Sequence, residues 1–84
     1  MNELKTYVAQ KNSRIAMFKG APLDLANAKD RQRIAQSIDS ALSPENLSCD
    51  GELSAGEVNS RYRFLTKAAE QLMKLDPTVM FYEF

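Results

Sequence analysis

Histidine is absent from this chain of 84 residues, and cysteine occurs once, at Cys49. Without histidine, the Ser-His-Asp and Cys-His arrangements of nucleophilic catalysis cannot form, and the common zinc sites lose a usual ligand. A single cysteine excludes a disulfide within the chain, and its acidic neighbours Asp50 and Glu52 disfavour a reactive thiolate. We therefore expect a protein that is not an enzyme and that needs no cofactor.

Long apolar runs are missing as well. Nowhere does the chain reach the run of about 18 apolar residues that a membrane-spanning helix requires. The first residues, MNELKTYVAQK, carry charges where a signal peptide needs an apolar segment. We expect a soluble, cytoplasmic protein that has no membrane partner.

Neither sign of charge is in excess, since 11 Lys and Arg balance 11 Asp and Glu. The balance changes along the chain: 7 basic against 4 acidic residues up to Leu42 give +3, and 4 against 7 after it give −3. This dipolar layout argues against general nucleic-acid binding, which depends on many phosphate contacts. The basic cluster of the first half is either a local anion patch or a solvated helix face; it consists of Lys29, Arg31 and Arg33.

Apolar residues recur at three- and four-residue spacings in three segments, which predicts helices at residues 3–18, 24–42 and 55–75 of a single domain, 1–84. The expected fold is all-α, a small helical bundle built on a hairpin of the second and third helices; a dimeric coiled coil is the alternative. The inward positions are predicted to be Leu4, Val8, Ile15, Phe18, Leu25, Ala28, Ile34, Ala35, Ile38, Leu42, Val58, Tyr62, Leu65, Ala69 and Leu72.

Local signals set the expected ends and the weak point of these helices. Asn2 and Asp24 are the expected N-caps of the first and second helices, and Gly20 is the expected stop of the first. Asn12 and Ser13 have poor helix propensity, so a bend in the first helix is expected at residues 11–13 if the helix is not continuous.

The turn before the third helix, NLSCDGELSAGE at residues 46–57, has two interpretations. As a capped turn, Ser43 and Pro44 begin a helix, Gly51 takes a left-handed conformation, and Ser54 with Glu57 forms a capping box. As an EF-hand-like loop it would bind calcium, although Pro44 and the lack of an Asp in first position disfavour that site. The capped turn is our prediction; the candidate calcium ligands of the lesser alternative are Asn46, Ser48, Asp50, Glu52, Ser54 and Glu57.

The same turn is acidic, and its carboxylates are candidates for contact with a basic surface of a partner. They also suit the positive ends of two helix dipoles, which needs no partner. The acidic turn consists of Glu45, Asp50, Glu52 and Glu57.

Residues 78–84, TVMFYEF, form a tail with three aromatic side chains and one charge, after a helix that Asp76 and Pro77 end. A free tail of this composition would promote aggregation. It is therefore expected to fold back on its own core, to pair with another subunit, or to dock into a partner. Its candidate interaction residues are Val79, Phe81, Tyr82 and Phe84.

The segment ENLSCDGELSAGEVNSRYRFL, residues 45–65, resembles a segment of small uncharacterised proteins of tailed bacteriophages, in which a similar NL(S/T)CDGE turn precedes a basic helix. The resemblance covers about a quarter of the chain. It implies a setting, because small phage proteins often bind and disable a host enzyme or defence component, or sequester a signal molecule. A phage-encoded protein of this kind would act in the host cytoplasm.

The leading hypothesis is a non-enzymatic protein-interaction module, an inhibitor of a host or defence protein, that uses the acidic turn and the tail. An alternative is a self-assembling helical oligomer, structural or sequestering a small anionic ligand near the basic cluster. A single EF-hand-like calcium binder is the third. The partner is thus an unknown host protein or another copy of the chain.

Overall fold

A computed structural model describes residues 2–18 and 22–84, with side chains described for residues 2–13 and 22–84. Within these residues the chain forms four helices and no strand: α1 (Glu3–Phe18), α2 (Ala28–Ala41), α3 (Pro44–Leu47) and α4 (Ala55–Leu75). The prediction of a small all-α bundle is confirmed. The predicted core positions Ile15 and Phe18 lie outside the described side chains, and the predicted stop at Gly20 lies outside the described residues.

Helix α4 is the element on which α1 and α2 pack. The start of α1 meets the end of α4, because the backbone N–H of Leu4 donates to Oε1 of Gln71 at 2.8 Å and Nε2 of Gln71 donates to the Glu3 carboxylate at 2.7 Å. Further along α1, Lys11 lines a cavity with Arg61 of α4. Helices α1 and α4 are therefore antiparallel, and the Gln71 side chain satisfies an N–H that a helix start leaves without an internal partner.

Helices α2 and α4 are antiparallel as well. Arg31 near the start of α2 bonds to Asp76 just after α4, and Ala41 at the end of α2 lines a cavity with Arg61. These two helices form the hairpin that the sequence predicts. Since α1 and α2 both run against α4, they are parallel to each other, and the described residues 22–25 return along α1.

Asn12 holds this returning segment. Its side chain accepts the backbone N–H of Leu23 at 2.7 Å and donates to the Leu23 carbonyl at 3.0 Å, so it pairs with one residue as a neighbouring strand would. Helix α1 runs through residues 11–13 without ending. Of the two residues that suggested a bend, Asn12 thus contacts the returning segment, which carries Leu23 and Leu25 to the edge of the core, whereas Ser13 bonds to the Gln10 carbonyl within α1.

Helix α2 begins at Ala28, four residues after the predicted cap Asp24. Asp24 instead organises a turn: its carboxylate accepts the N–H of Ala26 at 2.9 Å and its carbonyl accepts the N–H of Asn27 at 3.0 Å. Asn27 is the N-cap, because its side chain accepts the N–H groups of Lys29 and Asp30. The prediction of a helix from residue 24 was wrong at its start because an Asx turn followed by an Asn cap competes with helix there.

The turn between α2 and α4 contains the short helix α3, which begins at Pro44 as the sequence predicts. Ser43 is its N-cap but makes no side-chain capping bond. Three consecutive residues after α3 have positive φ, at 50° for Cys49, 57° for Asp50 and 86° for Gly51, where only Gly51 was expected.

The predicted capping box at the start of α4 is confirmed. Ser54 Oγ accepts the Glu57 N–H at 3.3 Å, and the Glu57 carboxylate accepts the Ser54 N–H at 3.2 Å. The bond that the Glu57 carboxylate accepts from the Ser54 backbone is the largest cause of the lowered pKa of Glu57.

The core lies between α4 and the other helices. Its buried apolar residues are Leu4, Tyr7, Val8, Ile34, Ala35, Ile38, Leu42, Leu65, Ala68, Ala69, Leu72 and Val79. Two predicted inward positions are exposed instead: Ala28, in the first turn of α2, and Tyr62, which is 50% exposed. Tyr7, which lies beside the predicted Val8, is buried in addition.

Candidate functional site

The C-terminal tail lies against α2 and is held there by its backbone. The carboxylate of Asp39 accepts the N–H of Tyr82 at 2.9 Å and the N–H of Glu83 at 2.6 Å. Gln32, two turns earlier in α2, accepts the N–H of Met80 at 3.1 Å. The tail has no regular secondary structure. Side chains of α2 therefore accept the backbone N–H groups that the carbonyls of a neighbouring strand would accept in a sheet.

Asp39 is a site residue that the sequence analysis missed. It is only 8% exposed, although aspartate is almost never buried without a partner. Its two bonds to tail N–H groups supply that partner. A signal was present in the sequence, because Asp39 lies four residues after Ala35 and hence on the apolar face of the helix.

A second anchor fixes the point where the tail leaves α4. Nε of Arg31 donates to the Asp76 carboxylate at 2.7 Å, and Arg31 also donates to the Leu25 carbonyl at 2.9 Å. The other carboxylate oxygen of Asp76 accepts both the hydroxyl and the backbone N–H of Thr78. The bonds from Thr78 and Arg31 lower the pKa of Asp76 to about 2.

Between these anchors the tail side chains alternate between the core and the solvent. Val79 is buried and Phe81 packs against the core. The rings of Phe81 and Phe84 meet edge to face, with 5.6 Å between their centroids. Met80, Tyr82 and Phe84 are 57%, 79% and 42% exposed. We call these last three residues the tail face.

The predicted interaction residues of the tail are thus divided. Tyr82 and Phe84 belong to the tail face, whereas Val79 and Phe81 contribute to the core of their own chain. Met80 is exposed but was not among the candidates. The alternation of residues 79–82, typical of an extended segment with one side covered, is the signal that could have separated the two groups.

All four residues of the acidic turn, Glu45, Asp50, Glu52 and Glu57, are exposed. The fold places cations beside two of them, because Lys11 of α1 and Arg61 of α4 line one cavity of 550 Å³ with Glu45 and Asp50. The turn therefore has basic neighbours in space that it does not have in the sequence.

Several side chains proposed as calcium ligands form hydrogen bonds within the turn itself. Asn46 donates to the Ser40 carbonyl at 2.8 Å, Ser48 Oγ bonds to the Pro44 carbonyl and the Gly51 N–H, and Glu57 belongs to the capping box. In residues 2–18 and 22–84, no three His, Cys, Asp or Glu side chains are grouped so that they could hold a metal ion.

The proposed anion patch is not an open cluster. Lys29 is exposed, but Arg31 is committed to Asp76 and to the Leu25 carbonyl. Arg33 lies 3.7 Å from the Asp30 carboxylate. The three basic residues share a helix without presenting their charges together.

A cavity of 360 Å³ between α1 and α4 brings together residues that the sequence analysis did not combine. We call it the Tyr7 cavity; its lining includes Tyr7, Gln10, Lys11, Arg61, Phe64 and Leu65. The ammonium of Lys11 lies 5.7 Å from the centre of the Tyr7 ring, and the Tyr7 hydroxyl is hydrogen-bonded to Ser37. Burial raises the pKa of Tyr7, so its hydroxyl is neutral at physiological pH.

No protein-family model, curated protein or solved structure matches this chain. None of the helices in the described part of the chain is long and apolar enough to cross a membrane. We therefore infer function from the chemistry of the surfaces described above.

Proposed function

We propose that this chain is a small, non-enzymatic protein-interaction module that binds a protein partner through the tail face. The observation that carries the proposal is the contrast at Tyr82. Its side chain is 79% exposed, whereas its backbone N–H is bound to the buried carboxylate of Asp39. An aromatic side chain is thus presented to the solvent from a fixed backbone.

Fixed aromatic side chains are effective in protein interfaces for two reasons. A tyrosine offers a large apolar area and a hydroxyl that can still form a hydrogen bond, and such residues dominate binding energy in many interfaces. A segment that is ordered before binding also loses less conformational entropy on association. The bonds to Asp39 and Gln32 provide that order for residues 80–83.

The acidic turn has a smaller part in this proposal than the sequence suggested. Lys11 and Arg61 partly cancel the field of Glu45 and Asp50, because all four line one cavity. Glu52 is exposed and forms no ion pair among the described residues. Its charge would affect the rate of association with a basic partner more than the final affinity.

The resemblance to small phage proteins leads us to propose a host enzyme or a defence protein as the partner, with the chain acting as its inhibitor in the host cytoplasm. Inhibition would follow from covering a surface of the partner and not from a chemical reaction.

The proposal is tested by capturing proteins from a host lysate with the N-terminally tagged chain and identifying them by mass spectrometry. The decisive variant is Met80→Ser with Tyr82→Ser, which changes the exposed side chains and keeps the backbone bonds of the tail. Removing the tail would instead uncover the core around Val79. The matched control is Tyr62→Ser, because Tyr62 is an exposed tyrosine that belongs to α4 and not to the tail.

We expect a stoichiometric partner that the unchanged chain and the Tyr62→Ser variant capture and that the double variant loses. Equal capture by the double variant would remove the tail face from the interface. Recovery of the protein alone, with a solution mass of two or more chains that the double variant reduces, would assign the tail face to self-assembly instead.

A further inference from the structure

We propose that the Tyr7 cavity binds a small organic anion with a flat apolar ring, such as an aromatic phosphate ester. This site is separate from the tail face. Its volume of 360 Å³ is within the range of small-molecule pockets, about 300–1,000 Å³, at the lower end.

The charge of the lining points to an anion. Lys11 and Arg61 approach the cavity from the antiparallel helices α1 and α4, and none of the described residues that line it is acidic. Glu45 and Asp50 line a neighbouring cavity, which Lys11 and Arg61 also border, so these carboxylates offset the two positive charges only in part. Among the described residues, ion pairs within 4.0 Å are formed by Arg31 and Arg33 only, so neither Lys11 nor Arg61 is neutralised by a carboxylate at contact distance.

The two cations suit the oxygens of a phosphate. A guanidinium presents a planar fork of N–H donors that binds two oxygens together, and an ammonium adds a compact charge from the other side. The Tyr7 hydroxyl does not compete with the ligand as a second anion, because it is neutral and bonded to Ser37.

The remaining walls suit an apolar ring. Phe64 and Leu65 of α4 are half-buried and buried, and the Tyr7 ring faces the ammonium of Lys11. A pocket with apolar walls and a few converging polar groups is the usual composition of a small-molecule site. An inorganic anion would leave the apolar walls of the cavity uncovered, and a neutral ring would leave Lys11 and Arg61 without an anionic partner.

The test is a titration followed by two-dimensional ¹H–¹⁵N NMR, with phenyl phosphate, inorganic phosphate and phenol as separate probes. We expect phenyl phosphate to shift the backbone resonances of Tyr7, Lys11, Arg61 and Phe64. Its affinity should exceed that of either half-probe by about tenfold or more, because it alone uses both the cations and the walls.

Variants connect the shifts to the cations. Lys11→Gln with Arg61→Gln should weaken phenyl phosphate binding by about tenfold or more. The matched control is Lys29→Gln with Arg63→Gln, which removes the same formal charge from exposed positions outside the cavity and should leave the affinity unchanged. Unchanged helicity by circular dichroism shows that the variants are folded.

Three results would overturn the proposal: no shifts at the cavity with phenyl phosphate, equal weakening by the control pair, or equal affinity for phenol. The first result would mean that the cavity binds no such ligand. The second would mean that binding depends only on the overall charge of the protein, and the third would mean that the phosphate group contributes nothing to recognition.

Discussion

The carboxylate of Asp39 accepts the backbone N–H of Tyr82 at 2.9 Å, across 43 residues of chain, and it accepts the next N–H as well. A buried acid on α2 is thereby satisfied entirely by the main chain of the tail. The acid and the tail depend on each other: without the tail, the carboxylate loses these partners, and without the acid, two N–H groups of the tail lose theirs.

Asp39→Ala should therefore lower the free energy of unfolding by about 2 kcal/mol, since it removes two charge-assisted hydrogen bonds at a buried position. Urea unfolding followed by circular dichroism measures the change. Glu70→Gln, at an exposed acid on α4, is the control and should stay within about 0.5 kcal/mol of the unchanged protein. A change at Asp39 as small as that of the control would mean that the tail is not held by this carboxylate.

The ion pair of Asp76 with Arg31 predicts a dependence of stability on pH. The pKa of Asp76 is about 2 in the folded protein, below its ordinary value of 3.8, so its contribution to stability is complete above pH 4 and is lost as the pH falls from there through 2. We expect the stability difference between the unchanged protein and Asp76→Asn to be constant from pH 7 to about 4 and to shrink toward pH 2. Urea titrations at each pH measure it, and a difference that does not shrink would contradict the role of this carboxylate.

The two serine N-caps offer a matched pair. Ser54→Ala should cost about 1 kcal/mol because it removes a bond to the Glu57 N–H, whereas Ser43→Ala should cost much less because Ser43 makes no capping bond. Thermal and urea unfolding of both variants provide the comparison. Equal losses would indicate that the side-chain bond at α4 contributes nothing to stability.

Two glycines should respond in opposite directions to alanine. At Gly51, with φ of 86°, a side chain meets no atom within 4 Å but is strained by the left-handed backbone, so Gly51→Ala should cost about 1 kcal/mol. Gly56 lies in α4 with equally open space around it, and Gly56→Ala should stabilise the protein by about 0.5 kcal/mol. A Gly51→Ala variant that is as stable as the unchanged protein in urea unfolding would contradict the assigned turn conformation.

The helices and most of the core were predictable because they depend on local patterns. The apolar spacing of Ile34, Ile38 and Leu42, and the pairing of Ser54 with Glu57, are read from neighbouring residues. The start of α2 was misplaced because Asp24 and Asn27 are both good caps, and only the turn that Asp24 forms with Ala26 decides between them.

The polar contacts of the candidate sites could not be predicted in the same way, since they join residues far apart in the chain. Asn12 appeared only to be a poor helix residue. Its pairing with Leu23 could not be predicted, because the sequence does not specify the path by which Leu23 returns to α1. Lys11 and Arg61 are 50 positions apart (61 − 11), and only the antiparallel packing of α1 on α4 places them at one cavity.

The bond between Leu4 and Gln71 also bears on how the molecule folds. The two residues are 67 positions apart, so if this contact formed before the α2–α4 hairpin it would close a loop that includes most of the chain. The α2–α4 hairpin closes a much shorter loop, and the entropy lost on closure grows with loop length. We expect the hairpin to form first and α1 to dock late, which would make this helical protein fold more slowly than bundles whose helices contact only their sequence neighbours.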